Sequence, residues 1–290
     1  MLKHAPKSGL RIGLALGAGG ARGFAHIPVF EAFDELGLKP VVVSGASIGA
    51  ITGAGYCAGM SGADIRSYVH GLFRRRADVV SRLWRTRPKS AREFFTAGGV
   101  RFGQFDAERL LSAFLPEVIP SDFADLRIPL KVVASDFYGW KETVLEEGDL
   151  RKAIAASVAI PVIFRPVLIE GRVMVDGTVF NPVPFDIVAP HTDIVVAVDV
   201  IGGPIGPASR MPTPMEAVFG TTQLLMRAIL AQKLRQANAP QILVKPAINN
   251  FRLLDFMKAN TILKAAEPVK DEVKRALEKA IARHAAAVSG

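Results

Sequence analysis

Two glycine-rich segments constrain the fold of this chain more than any other feature. Each lies between a short apolar run and a helical stretch, within the first sixty residues. Leu10–Leu16 leads into Gly17-Ala18-Gly19-Gly20-Ala21-Arg22-Gly23, and a helix is expected over about 24–36, ended by Gly37. Pro40–Ser44 leads into Gly45-Ala46-Ser47-Ile48-Gly49, and a second helix is expected from Ile48 to Gly59. The run at 40–44 is apolar throughout, as in a parallel strand buried on both faces. The order β-α-β-α argues a three-layer α/β/α architecture with a mainly parallel central sheet. Two such turns on successive βα units lie at the same edge of one sheet.

Further strands are expected at Leu130–Ser135, with a hairpin arm at Thr143–Leu145, and at Ile194–Val200 and Gln241–Lys245. Arg165–Ile169 and Arg172–Asp176 read as an antiparallel pair turning at Glu170-Gly171. A helix is expected between Asp149 and Pro161, and an amphipathic one over Val269–Ala287. Residues 201–214 are rich in glycine and proline and read as a loop. No internal repeat is visible. With 290 residues, half of them hydrophobic, one large α/β domain with a sizeable core is expected.

Two segments imitate targeting signals. Lys3, Lys7 and Arg11 precede a short apolar run, but glycines and Arg22 follow at once, so a first strand is the better reading. Residues 40–63 carry no charge and are long enough to span a bilayer, yet Pro40 and many small polar residues interrupt them. A buried strand–turn–helix is expected there. The single cysteine, Cys57, excludes an internal disulfide and reads as a small buried hydrophobe. A cytoplasmic protein, peripheral on the inner membrane face, is the expected location.

The pentapeptide Gly45-x-Ser47-x-Gly49 fits the nucleophile elbow G-x-S-x-G in the strand–helix context that gives it meaning. A serine there projects its hydroxyl outward, and flanking glycines let the backbone turn without a Cβ clash. The Gly17–Gly23 loop admits several readings. A nucleotide P-loop lacks its Lys-Ser/Thr ending, and a dinucleotide fold lacks an acid after Val41-Val42-Val43-Ser44. An oxyanion hole of backbone N–H groups and a plain close helix–strand approach both remain.

A hydroxyl nucleophile needs a base. Of the five histidines, His4 and His284 lie near the ends, His70 lies in a basic stretch, and His26 reads as a helix-packing residue. His191 satisfies a Ser47–Asp176–His191 order formally. However, an elbow after only the second strand does not suit an α/β-hydrolase triad. Asp176 ends the apolar strand Val173-Met174-Val175 and precedes Gly177 and Thr178. A partly desolvated carboxylate there can take the serine proton directly, although turn-capping is the ordinary job of an Asp before Gly.

Gly17-x-Gly19-x-x-Arg22-Gly23, Gly45-x-Ser47-x-Gly49 and Asp176-Gly177, in this order, resemble the patatin-like phospholipases, in particular the bacterial branch related to neuropathy target esterase. Ala25-His26-Ile27 and Ala156-Ser157-x-Ala159-x-Pro161-x-x-Phe164 extend the resemblance, which covers about residues 10–200. It implies a patatin-like hydrolase with a Ser–Asp dyad, no catalytic histidine and no cofactor or metal. Ser47 is then the nucleophile and Asp176 the base. Gly19, Gly20, Ala21 and Arg22 form the oxyanion loop, and Gly17, Gly23, Gly45, Gly49 and Gly177 are the motif glycines. The chain departs from the family where Ala18 interrupts the glycine run and Thr178 replaces a small residue. The implied unit is 10–200, with 66–115 as a helical cap insertion and 201–290 completing the same domain. The implied substrate is the acyl ester of a phospholipid or lysophospholipid.

The net charge of +9 is concentrated. Residues 66–92 hold nine cations (Arg66, Arg74, Arg75, Arg76, Arg82, Arg85, Arg87, Lys89 and Arg92) against the single acid Asp78. Interspersed apolar residues suit either an anionic lipid surface or a solvated helical face. Nucleic acid is not expected, since no recognition motif accompanies the charge. A regulatory protein that binds lipid without turnover is the rival from another class.

Overall fold

The computed structural model describes residues 9–74, Val79 and 105–289. The first unit follows the expected order. Strand β1 is Ile12–Leu16, and after a short 3-10 turn over Gly20–Ala25 comes helix α1, His26–Glu35. Strand β2 is Val42–Ala46 and helix α2 is Ile48–Cys57. β2 lies two residues later than the apolar run suggests, because Gly45 and Ala46 continue the ladder up to the elbow. Helix α3, Gly62–Phe73, opens on a capping box between Ser61 and Asp64. Helix α4 is Ala107–Phe114, β3 is Leu130–Asp136, and β4 is Lys141–Leu145. Helix α5, Leu150–Ser157, starts on the side chain of Asp149, which accepts from the Lys152 N–H. The Glu170-Gly171 hairpin joins β5, Val167–Ile169, to β6, Arg172–Asp176. Then follow α6 (Phe185–Val188), β7 (Ile194–Val198), α7 (Pro214–Lys233), β8 (Ile242–Val244), α8 (Ala259–Ala266) and α9 (Pro268–Ser289).

The strands form one sheet in the order β5-β6-β3-β2-β1-β7-β8, with β4 also paired to β3. β1, β2, β3, β7 and β8 are mutually parallel, β4 and β6 run antiparallel to β3, and β5 runs antiparallel to β6. Alternation along the strands splits the core in two. Leu14, Leu16, Val43, Val132 and Val196 pack toward α1, α2, α5, α8 and α9. Ala15, Val42, Val133 and Ala197 pack the other way, onto Phe185 and Val188 of α6 and Met226 and Leu230 of α7. The result is the expected three-layer α/β/α fold. Its segment 40–63 is the expected strand–turn–helix, and among the described residues no helix is long and apolar enough to cross a membrane.

One detail of the register sets the site. β3 pairs with β2 through Leu130–Val133, with β4 through Val132–Asp136, and with β6 through Ala134–Asp136. A strand has two hydrogen-bonding edges, and β4 occupies one of them along residues 132–136. β2 and β6 therefore share the other edge, end to end. β2 ends with Ala46 opposite Val133, and β6 arrives from the other direction with Asp176 opposite Ala134.

Most of the cap expected over 66–115, and most of the basic stretch 66–92, fall outside the described residues. Of the basic stretch, Arg66 is described and pairs with Glu31 and Glu267, and Arg74 is exposed.

Candidate functional site

Because the two strand ends meet, Ser47 and Asp176 become neighbours across 129 residues of chain. Ser47 Oγ donates to Asp176 Oδ2 at 2.8 Å. Both are buried: Ser47 is 4% exposed and Asp176 is 1%. Ser47 takes φ 54°, ψ −120°, a conformation that costs an ordinary L-residue about 1–3 kcal/mol. The surroundings enforce it. The Ser47 N–H donates to Ser157 Oγ at 2.9 Å, and Ser157 Oγ donates to the Val133 carbonyl at 2.6 Å. On the far side Gly49 presses against β1, where an added Cβ would stand 2.1 Å from the Leu16 carbonyl oxygen. Helix α2 begins directly after Ser47, so its N-terminus favours negative charge developing at that point.

Asp176 is held equally firmly. Its Oδ1 accepts the Thr178 N–H at 2.9 Å, its own N–H donates to the Ala159 carbonyl at 3.2 Å, and its carbonyl accepts from Ser135 Oγ at 2.9 Å. Burial raises its pKa to about 6. The hydrogen bonds from Thr178 and Ser47, which favour the carboxylate, offset part of that shift. The ordinary turn-capping role and a role toward Ser47 thus coexist, one on each carboxylate oxygen.

The Gly17–Gly23 loop follows β1 at the same edge, since Leu16 pairs with Gly45. Gly20 has φ +59°, and an added Cβ would stand 2.2 Å from the Leu253 carbonyl oxygen. That same carbonyl accepts the Ala21 N–H at 2.8 Å. No described residue accepts the N–H of Gly19 or Gly20, which precede the helical hydrogen bonds of α1. Arg22 is almost fully buried, and its guanidinium is turned into the fold. Nε donates to the Val200 carbonyl at 3.0 Å and Nη1 to the Phe251 carbonyl at 2.9 Å. Gln223 meets Nη2 at 3.2 Å once its amide is oriented to satisfy both of its ends. Burial and nearby Arg227 pull the Arg22 pKa down to about 10, while Asp199 and Asp255 act in the opposite sense. Only the main chain of Arg22 is therefore available to the loop.

The described histidines are not at this site. His191 precedes β7, whose Ile194 pairs with Ile12, at the end of the sheet opposite Ser47. The formal Ser47–Asp176–His191 triad is ruled out on that ground. His26 is fully buried, its Nδ1 lies 3.0 Å from Thr52 Oγ1, and burial lowers its pKa to about 3. Cys57 is buried and free, and burial pushes its thiol up. Among the described residues no group of three or more His, Cys, Asp or Glu side chains is placed to hold a metal.

Ser157 and Ser135 were not legible as site residues. Ser157 lies in the Ala-Ser-x-Ala stretch, where a polar residue among small apolar ones at a helix end was the available signal. The contact of Leu253 with the glycine loop had no local signal at all.

The family model described as "Patatin-like phospholipase" matches residues 14–189. An NTE family protein of Mycobacterium tuberculosis, Rv1063c, is 34% identical over 199 residues, covering 68% of this chain and 51% of the relative. "Neuropathy target esterase sws" of Drosophila melanogaster is 27% identical over 204 residues, covering 67% of this chain and 13% of that protein. The chain spans about half the length of the mycobacterial relatives it matches. Among solved structures, VipD from Legionella pneumophila aligns over 92% of this chain and 66% of its own, with 14% identity and a TM-score of 0.47.

Proposed function

Since the chain belongs to the patatin-like phospholipase family, we propose that it cleaves acyl esters of phospholipids or lysophospholipids through a Ser47–Asp176 dyad and an acyl-enzyme. The observation that carries this reading is the 2.8 Å hydrogen bond from Ser47 Oγ, at a strained strand–helix turn, to a buried carboxylate. In the reaction Ser47 Oγ attacks the ester carbonyl carbon and its proton passes to Asp176 Oδ2. The carbonyl oxygen becomes an oxyanion, bound by the N–H groups of Gly19 and Gly20. Collapse of the tetrahedral adduct breaks the ester bond, and the leaving alkoxide takes the proton back from Asp176. Water then gives its proton to Asp176 and its oxygen to the acyl carbon. Collapse of this second adduct returns that proton to Ser47 and releases a fatty acid. Hydrogen-bond donors fixed at a developing oxyanion are worth about 10²–10³ in rate each.

The catalytic unit is read as residues 10–200 completed by 201–290, with 66–115 as a cap. The basic stretch 66–92 is the proposed contact for anionic headgroups, at the cytoplasmic face of a membrane.

A fluorophosphonate probe tests the nucleophile, with lysophosphatidylcholine hydrolysis measured alongside. Labelling and fatty-acid release by the wild type, with both lost in Ser47→Ala, is the expected result. A folded wild-type chain that neither labels nor hydrolyses overturns the reading in favour of lipid binding without turnover.

A further inference from the structure

The β3–β4 connection, Phe137–Trp140, is the most exposed aromatic cluster among the described residues: Phe137 is 53% exposed, Tyr138 75% and Trp140 84%. Scattered exposed apolar side chains need no explanation, but three aromatics within four residues do. The turn is tightly built. Buried Asp136 accepts the Gly139 N–H through Oδ1 at 2.8 Å, and an added Cβ at Gly139 would stand 2.5 Å from that carboxylate. The Phe137 N–H donates to the Val173 carbonyl at 2.9 Å. The rings of Phe137 and Tyr138 meet edge to face at 5.0 Å, and Trp140 holds φ +53°. So the tip is fixed, with its aromatic faces turned outward.

Its location gives this meaning. Asp176 pairs with Ala134, and the tip begins three residues further along β3. At about 3.3 Å per residue, the aromatics stand roughly 10 Å beyond the Ser47–Asp176 pair, at the edge toward which β2 points. Two other exposed apolar residues flank the same edge. Val162, 45% exposed, lies three residues after Ala159, whose carbonyl accepts the Asp176 N–H. Leu168, 58% exposed, pairs with Val173, the residue bonded to Phe137. Exposed Lys141 follows Trp140 directly.

We propose that Phe137, Tyr138 and Trp140, with Val162 and Leu168, form an apolar surface that inserts into a lipid bilayer and is required for docking there, besides any headgroup contact of 66–92. Tryptophan and tyrosine suit the headgroup level, where one part of the ring is apolar and the other wet. Apolar faces of interfacial elements bury about 5–10 Å into the boundary between headgroups and acyl chains. A tip standing roughly 10 Å proud of Ser47 would bring the mouth of the site to the depth of the acyl esters. The inference deepens the lipid-ester reading and rests on it for its activity measurement alone.

The test uses the full chain carrying Ser47→Ala, which leaves vesicles intact, and Trp84→Phe, which leaves Trp140 as the only tryptophan. Vesicles of phosphatidylcholine with phosphatidylglycerol should shift Trp140 emission to the blue, and lipids brominated near the headgroup should quench it. Replacing Phe137, Tyr138 and Trp140 together with serine, in the Ser47→Ala chain, should weaken vesicle sedimentation about tenfold or more. With Ser47 intact, the same triple change should lower hydrolysis of vesicle lipid by a similar factor relative to a water-soluble acetyl ester. Failure to bind these vesicles overturns the proposal, as does binding with unshifted, unquenched Trp140 emission or undiminished binding by the triple variant. Tip-dependent binding without any ester hydrolysis would uphold the docking surface while overturning the hydrolase reading.

Discussion

The main-chain N–H of Ser47 donates to Oγ of Ser157, and Ser157 in turn donates to the Val133 carbonyl, the residue opposite which β2 ends. This relay fastens a strained residue to the strand that fixes its partner. We expect Ser157→Ala to leave a buried N–H unpaired, at a cost of about 1–3 kcal/mol. The elbow should also lose its position, so kcat should fall more than KM rises. Thermal unfolding and initial rates check this, and an unchanged kcat would assign Ser157 to packing alone.

The rate should follow the protonation of Asp176. Burial raises this carboxyl to about 6, and only its ionised form can accept the Ser47 proton. We expect kcat/KM for a soluble ester to fall as pH drops through about 6, and no limb belonging to His26, which burial holds neutral down to about pH 3. A limb at the pKa of an ordinary aspartate, near 4, would mean that the buried environment does not persist in solution.

Stability should move the other way. A carboxyl whose folded pKa lies above its unfolded value contributes stability below the unfolded value and loses it as pH rises through the folded one. For Asp176 that window runs from about 4 to about 6. Above it the buried charge costs roughly 3 kcal/mol. Asp176→Asn should therefore be inactive yet more stable than wild type at neutral pH, with the advantage shrinking toward pH 4. Denaturant titrations at the two pH values check the sign.

Gly20 and Gly37 separate two costs. Both have positive φ, +59° and +67°, but a Cβ at Gly37 meets nothing within 4 Å, whereas at Gly20 it meets the Leu253 carbonyl at 2.2 Å. Gly37→Ala should cost about 1 kcal/mol. Gly20→Ala should cost at least 1 kcal/mol more and abolish ester hydrolysis, since relief of the collision must move the loop. Equal losses in the two variants would mean that Leu253 yields freely.

Arg22→Lys should be poorly tolerated despite keeping the charge. The guanidinium reaches two carbonyls, those of Val200 and Phe251, in divergent directions that one ammonium cannot serve together. A loss of about 1–3 kcal/mol is expected, with a lowered kcat because Phe251 and Leu253 support the glycine loop. The melting temperature and kcat measured on the same sample check it.

These residues also show what was legible before the structure. β1, β2 and the two turns stood out because apolar runs and glycines are local signals with local causes. The Glu170-Gly171 hairpin was readable for the same reason, and Asp176 stood out as an acid at an apolar strand's end. The roles of Ser157, Ser135 and Leu253 were hidden because each comes from a contact more than forty residues distant along the chain. Phe137–Trp140 escaped notice for another reason: aromatics in a sequence suggest core, and only the turn on Asp136 puts these outside. The two-residue offset of β2 arose because small residues at the elbow, which look like turn, extend the ladder with β3.

The end-to-end meeting of β2 and β6 has a consequence for how this molecule comes to life. During synthesis the elbow is made before its partner, which emerges 129 residues later. Even then the pair forms only if β6 settles opposite Ala134 and no other residue. A slip of one position would swing Asp176 to the opposite face of the sheet. No gently weakened intermediate lies between those registers, so each copy of the chain should be either fully armed or inert, and the average activity of a preparation should count its correctly zipped molecules.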